Sequence, residues 1–215
     1  MLRKDVREAI RRLWPDGVVK WNADYEDSWF LKLRPKLARA LKGLKRARLR
    51  VERPDECEPS RSYYAYFVVP DGVAFEFTSR LEDYVDGKIE MVHGDGQTGW
   101  YVAVSLLAPF AVITLAERIV YDNGDVVRPE LEWHLGTMEG DPIDPEQHFR
   151  EMVAEEAFSD LTAVRREIAE ALEKHGVSVL PPEEWKKRAP ALRLGDGVSA
   201  QQPPRVLDAL FFEEA

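Results

Sequence analysis

The chain is 215 residues long, enough for one sizeable core, and its 45% hydrophobic and 10% aromatic content excludes wholesale disorder. A lone Cys57 excludes an internal disulfide and a cysteine-rich zinc site. The formal charge of −9 is unevenly spread: from Lys32 to Arg53 ten basic residues face Glu52 alone, a net +9, residues 1–31 balance six against six, and residues 54–215 carry −18.

A basic ribbon in an acidic body shapes the field that any partner meets. The start, Met1-Leu2-Arg3-Lys4-Asp5, lacks the apolar run of a signal peptide. The longest apolar stretch, about Val102 to Ala116, is broken by Ser105, Pro109 and Thr114 and is too short to span a bilayer. A soluble cytoplasmic protein with no membrane association is expected.

Leu2, Val6, Ile10 and Leu13 recur at helical spacing and predict an amphipathic first helix that ends before Pro15-Asp16-Gly17. Trp21, Tyr25 and Trp29 follow at i, i+4, i+8, with Asn22 as a cap. Leu37, Leu41 and Leu44 predict a further helix with Pro35 in its first turn. From Lys45 to Glu52 apolar and charged residues alternate, the period of a strand.

The strand mode continues through the middle of the chain. Ser62 to Val69 reads as a central strand, and Pro70-Asp71-Gly72 turns it into Val73–Thr78, with Val73, Phe75 and Phe77 on one face. Asp86-Gly87 and Asn123-Gly124 predict hairpin turns. Around them strands are expected near Lys88–His93, Trp100–Leu107, Phe110–Tyr121 and Val126–Leu135, the last an edge because it holds Pro129. Asp144-Pro145-Glu146-Gln147 reads as a helix start, Ser159 restarts an apolar pattern through Leu161, Val164, Ile168 and Leu172, and Gly176 stops it. Val177–Leu180 is expected to add a short strand and Pro181–Trp185 to open one more turn of helix. Gly195–Pro204 reads as a loop, and the apolar tail Val206–Phe212 must dock somewhere.

The expected fold class is α+β: an antiparallel β-meander of about six strands packed against N-terminal and C-terminal helices. One domain is expected over 1–215. Helices would occupy 1–45, the sheet 46–135, further helices 144–192, and a loop with the apolar tail 193–215.

Gly94-Asp95-Gly96-Gln97-Thr98-Gly99 matches the dinucleotide fingerprint literally. That chemistry needs a helix next, and Trp100-Tyr101-Val102-Ala103-Val104 is strand, so a hairpin loop is expected and no cofactor. Arg46, Arg48 and Arg50 would share a strand face and could grip phosphate. An acidic remainder of −18 repels a long polyanion, so pairing with Glu76, Glu90 or an acidic helix is favoured and nucleic acid is not expected as a partner. Glu130, Glu132 and His134 form an alternating edge row, read as solvent-facing rather than as a metal site, and no metal is expected. No HExxH, GxSxG or phosphate loop occurs in the sequence.

Trp21, Tyr25 and Trp29, interleaved with Asp24, Glu26 and Asp27, have the composition of a partner-binding hot spot, though the same stripe also packs a helix on a sheet. The function expected is a non-enzymatic protein-binding module of the bacterial cytoplasm, its particular form an immunity-type protein neutralising a basic toxin. The alternative is an enzyme or small-ligand-binding protein with a pocket at the open end of the sheet, near His93 and Trp100.

Overall fold

The computed structural model describes residues 2–20, 29–51, 62–85, 88–123, 126–127, 149–151, 153–189, 192–195 and 204–211. Helix α1 (Lys4–Leu13) buries Val6, Ala9 and Ile10, one face at three- and four-residue spacing. Trp14 closes it and donates its indole N–H to the Ala209 carbonyl at 2.9 Å, joining the first helix to the end of the chain. Gly17, at φ 71°, turns the backbone into β1 (Val18–Val19), which pairs in parallel with β9 (Arg193–Leu194).

Helix α2 (Trp29–Lys42) corrects the expected start near Pro35: the proline lies inside the helix. Without an N–H, Pro35 cannot make the usual helical donation to the Leu31 carbonyl, and Leu31 is among the exposed large apolar residues. Burial of Phe30, Leu37 and Leu41 carries the helix through that defect, since each buried side chain stabilises it by about 1.5–3 kcal/mol.

The main sheet is mostly antiparallel and curls into a half-barrel packed with helices, an α+β fold. Its strands are β2 (Ala47–Val51), β3 (Tyr63–Pro70), β4 (Glu76–Val85), β5 (Lys88–Ser105), β6 (Phe110–Tyr121), β7 (Val126–Val127) and β8 (Ser178–Val179). The order is β2-β3-β5-β6-β7, with β4 also on β5 and β8 joining β6 in parallel. Strand β5 is the spine. It pairs with β6 on one edge, and with β4 and then β3 along the other.

Two expectations about this region are corrected. The fingerprint-like Gly94–Gly99 is not a hairpin loop; it lies inside β5, which runs unbroken through it. Val73–Phe75 is a 3₁₀ turn rather than strand, so Val73 is 87% exposed while Phe75 is buried, and Phe77 on β4 is only half-buried. The turn forms because β3 and β4 share one edge of β5: Val68 sits opposite Trp100 and Glu76 opposite Gln97, so the residues between must leave the sheet.

Helices cover both faces at the β3 end. On one face, Trp100 donates its indole N–H to the Leu161 carbonyl of α3 (Glu155–Lys174) at 2.9 Å, and the Arg34 guanidinium of α2 stacks 4.4 Å from the Tyr64 ring. On the other, the Ser105 hydroxyl donates to the Leu210 carbonyl of α5 (Val206–Leu210) at 2.7 Å. The apolar tail thus docks on the sheet as the last part of its core. Tyr66, Phe67, Val68, Phe75, Val102, Val104, Val112, Leu115, Leu161, Val164, Ile168 and Leu172 are buried as expected, and Tyr64 is half-buried.

Helix α3 begins four residues before the expected Ser159, at Glu155, with Glu155 and Glu156 in its first turn. It ends at Gly176, φ 79°, whose N–H donates to the Glu173 carbonyl while Val177 N–H reaches Leu172. Helix α4 (Pro182–Trp185) carries the buried Glu184. The carboxylate of Glu184 accepts from the Arg3 backbone N–H at 2.7 Å and the Lys187 ammonium at 2.6 Å. The expected helix start at Asp144–Gln147 and the loop Gly195–Pro204, apart from Gly195 and Pro204, lie outside the described residues. No described helix is long and apolar enough to cross a membrane.

Candidate functional site

Beyond the helices, one face of the sheet forms an open cleft of about 750 Å³. Four strands line it: Arg50 from β2, Glu76, Phe77 and Thr78 from β4, Asp95, Gly96 and Gln97 from β5, and Arg118 and Val120 from β6. The pairing explains this convergence. Glu76 stands opposite Gln97 and Gln97 opposite Arg118, while Thr78 stands opposite Asp95 and Asp95 opposite Val120, so two cross-strand rows share one face. Directly opposed side chains lie about 5 Å apart, close enough to act on one bound group together.

The arginine row divides. Arg46 lies just before β2 and turns to Asp160 on α3, 3.9 Å away. Arg48 is held by Asp71 at 3.2 Å and Glu76 at 3.1 Å, both partners half-exposed. Such exposed pairs contribute about 0.2–1 kcal/mol each, so Arg48 is oriented rather than locked. Arg50 is exposed at the cleft wall, and among the described residues no ion pair engages it. The side chain of Glu90 lies outside the described residues.

Of the aromatic stripe, Trp21, Asp24, Tyr25, Glu26 and Asp27 lie outside the described residues. Trp29 is half-buried, edge-on to Phe30 with ring centres 6.0 Å apart, and packs against the core. Its indole nitrogen is buried, with no hydrogen-bond partner among the described residues. Glu130, Glu132 and His134 are also outside them. His93 is exposed and has the cleft-facing parity of Asp95, whereas Trp100 is buried on the opposite face against α3. A strand cannot turn both into one pocket, so the expected His93–Trp100 pocket is replaced by the Asp95–Gln97 cleft.

Asp95, Gln97, Arg118 and Thr78 were not singled out by the sequence. Their convergence depends on register between strands, and Asp95 and Gln97 sit in a glycine-rich stretch that resembles a loop. Chemically the cleft offers guanidinium donors, carboxylate acceptors and an amide side by side, a surface suited to hydrogen-bonding a polar chain. Among the described residues no group of three or more His, Cys, Asp or Glu could hold a metal ion. No family model matches the chain, and no curated protein or solved structure matches it.

Proposed function

We propose that this protein is a binding module of the cytoplasm that captures a protein partner on the open face of its sheet. The observation that carries the reading is the four-stranded cleft, where exposed Asp95 and Glu76 stand beside Arg50 and Gln97. A polypeptide with basic side chains would meet carboxylates in the cleft and the −18 charge of residues 54–215 around it. That field speeds encounter, while a few desolvated contacts govern release. Neutralisation of a basic toxin by an immunity-type protein is the finer form of the same reading. Of the aromatic stripe only Trp29, half-buried and edge-on to Phe30, lies among the described residues, so the reading is argued from the cleft.

The test is kinetic. A partner recovered from the native host is purified, and its association rate is measured against salt with the wild-type chain and with Asp95→Arg. Association should slow as salt rises, and Asp95→Arg should slow it about tenfold at low salt with a smaller effect on release. An unchanged association rate for Asp95→Arg removes the cleft from the interface. The cleft volume also lies in the range of small-molecule sites, which supports the second reading, a small-ligand protein. Turnover of a substrate that is lost in His93→Ala would favour that reading instead.

A further inference from the structure

Strand β4 spans ten residues, Glu76–Val85, and among the described residues its backbone is paired only with β5. A row of backbone N–H and C=O groups along its other edge is a template for another strand. The side chains at its centre are exposed: Arg80 and Glu82 on the cleft face, and Leu81, 43% exposed, on the opposite face. An exposed leucine on an edge strand is the feature that natural sheets usually avoid.

We propose that this edge pairs with the same edge of a second copy, joining two sheets antiparallel about a two-fold axis at Leu81. The occupant follows from charge. A two-fold axis normal to the sheet keeps each face on its own side, so only residues of like parity oppose one another. Centred on Leu81, the pairing sets Arg80 of each copy against Glu82 of the other, twice over, and Leu81 against Leu81. Centred on Arg80 or on Glu82, it sets like charges face to face, and centred on Ser79 it opposes Glu76 to Glu82. Opposed unlike charges stabilise a strand pair and like charges destabilise it, so the long-overlap register about Leu81 is selected. The two open clefts then face the same side of one continuous sheet. This inference does not rest on the partner-binding reading.

The experiment is sedimentation velocity over a concentration series of the purified full chain, in wild-type form and as Arg80→Glu, Glu82→Arg and the double exchange Arg80→Glu/Glu82→Arg. A reversible dimer is expected at concentrations on the order of tens of micromolar, as for a small interface. Each single exchange should weaken it about tenfold, and the double exchange should restore it. Circular dichroism checks that each variant is folded, and Leu81→Lys serves as a further dimer-breaking variant if a single exchange does not fold. A chain that stays monomeric, a dimer indifferent to the exchanges, or weakening without rescue each overturns the proposal.

Discussion

The ring of Phe77 lies over Gly96, its directly opposed neighbour on β5, in the space that a Cβ at position 96 would occupy. Three residues further along β5, a Cβ on Gly99 would come within 2.6 Å of the Val68 carbonyl oxygen and 3.1 Å of the Phe67 ring. These glycines let neighbouring strands and rings approach the spine of the sheet.

The two positions should therefore respond differently to alanine. At Gly96 the obstacle is a half-buried ring that can move, so Gly96→Ala should cost about 1 kcal/mol or less. At Gly99 the obstacle is backbone, so Gly99→Ala should cost about 2–3 kcal/mol. Urea unfolding of both variants checks the order, and equal costs would place the strain elsewhere.

Phe75 closes the 3₁₀ turn and stacks on Phe149, with ring centres 6.0 Å apart and an interplanar angle of 18°. It is 2% exposed, so Phe75→Ala should cost about 3–5 kcal/mol through lost burial and a cavity. Val73→Ala, two residues away at an 87% exposed site, should change stability by about 0.5 kcal/mol or less. Parallel denaturation curves measure both.

Burial acts to raise the Glu184 carboxyl, yet the Lys187 ammonium and the Arg3 backbone N–H together hold it below its ordinary 4.5. A depressed folded-state value contributes stability that is present above pH 4.5 and is lost as pH falls through the folded value. Glu184→Gln should lose about 1–2 kcal/mol at neutral pH and show a flatter fall in stability under acid. Thermal melts of both proteins from neutral pH into acid test the sign.

For the arginine row, no useful affinity for single- or double-stranded nucleic acid is expected at moderate salt, since Arg46 and Arg48 face carboxylates. Fluorescence anisotropy is the measurement. Submicromolar, salt-sensitive binding that disappears in an Arg46→Ala/Arg48→Ala/Arg50→Ala variant would overturn that expectation.

Local pattern alone determined much of this protein. Alternation from Lys45 to Glu52 marked β2, the spacing of Leu161, Val164, Ile168 and Leu172 marked the buried face of α3, and Gly176 marked its end; each signal sits within a few residues of the structure it specifies. Tertiary structure decided what depends on distant neighbours. Glycines at 94, 96 and 99 resemble a turn until Tyr121, Phe77 and Phe67 supply the side chains that pack over them. Pro35 resembles a helix start until burial of Phe30 and Leu37 outweighs one missing hydrogen bond. The cleft belongs to the same class, because Arg50, Glu76, Asp95 and Arg118 come from four strands whose register only the assembled sheet defines.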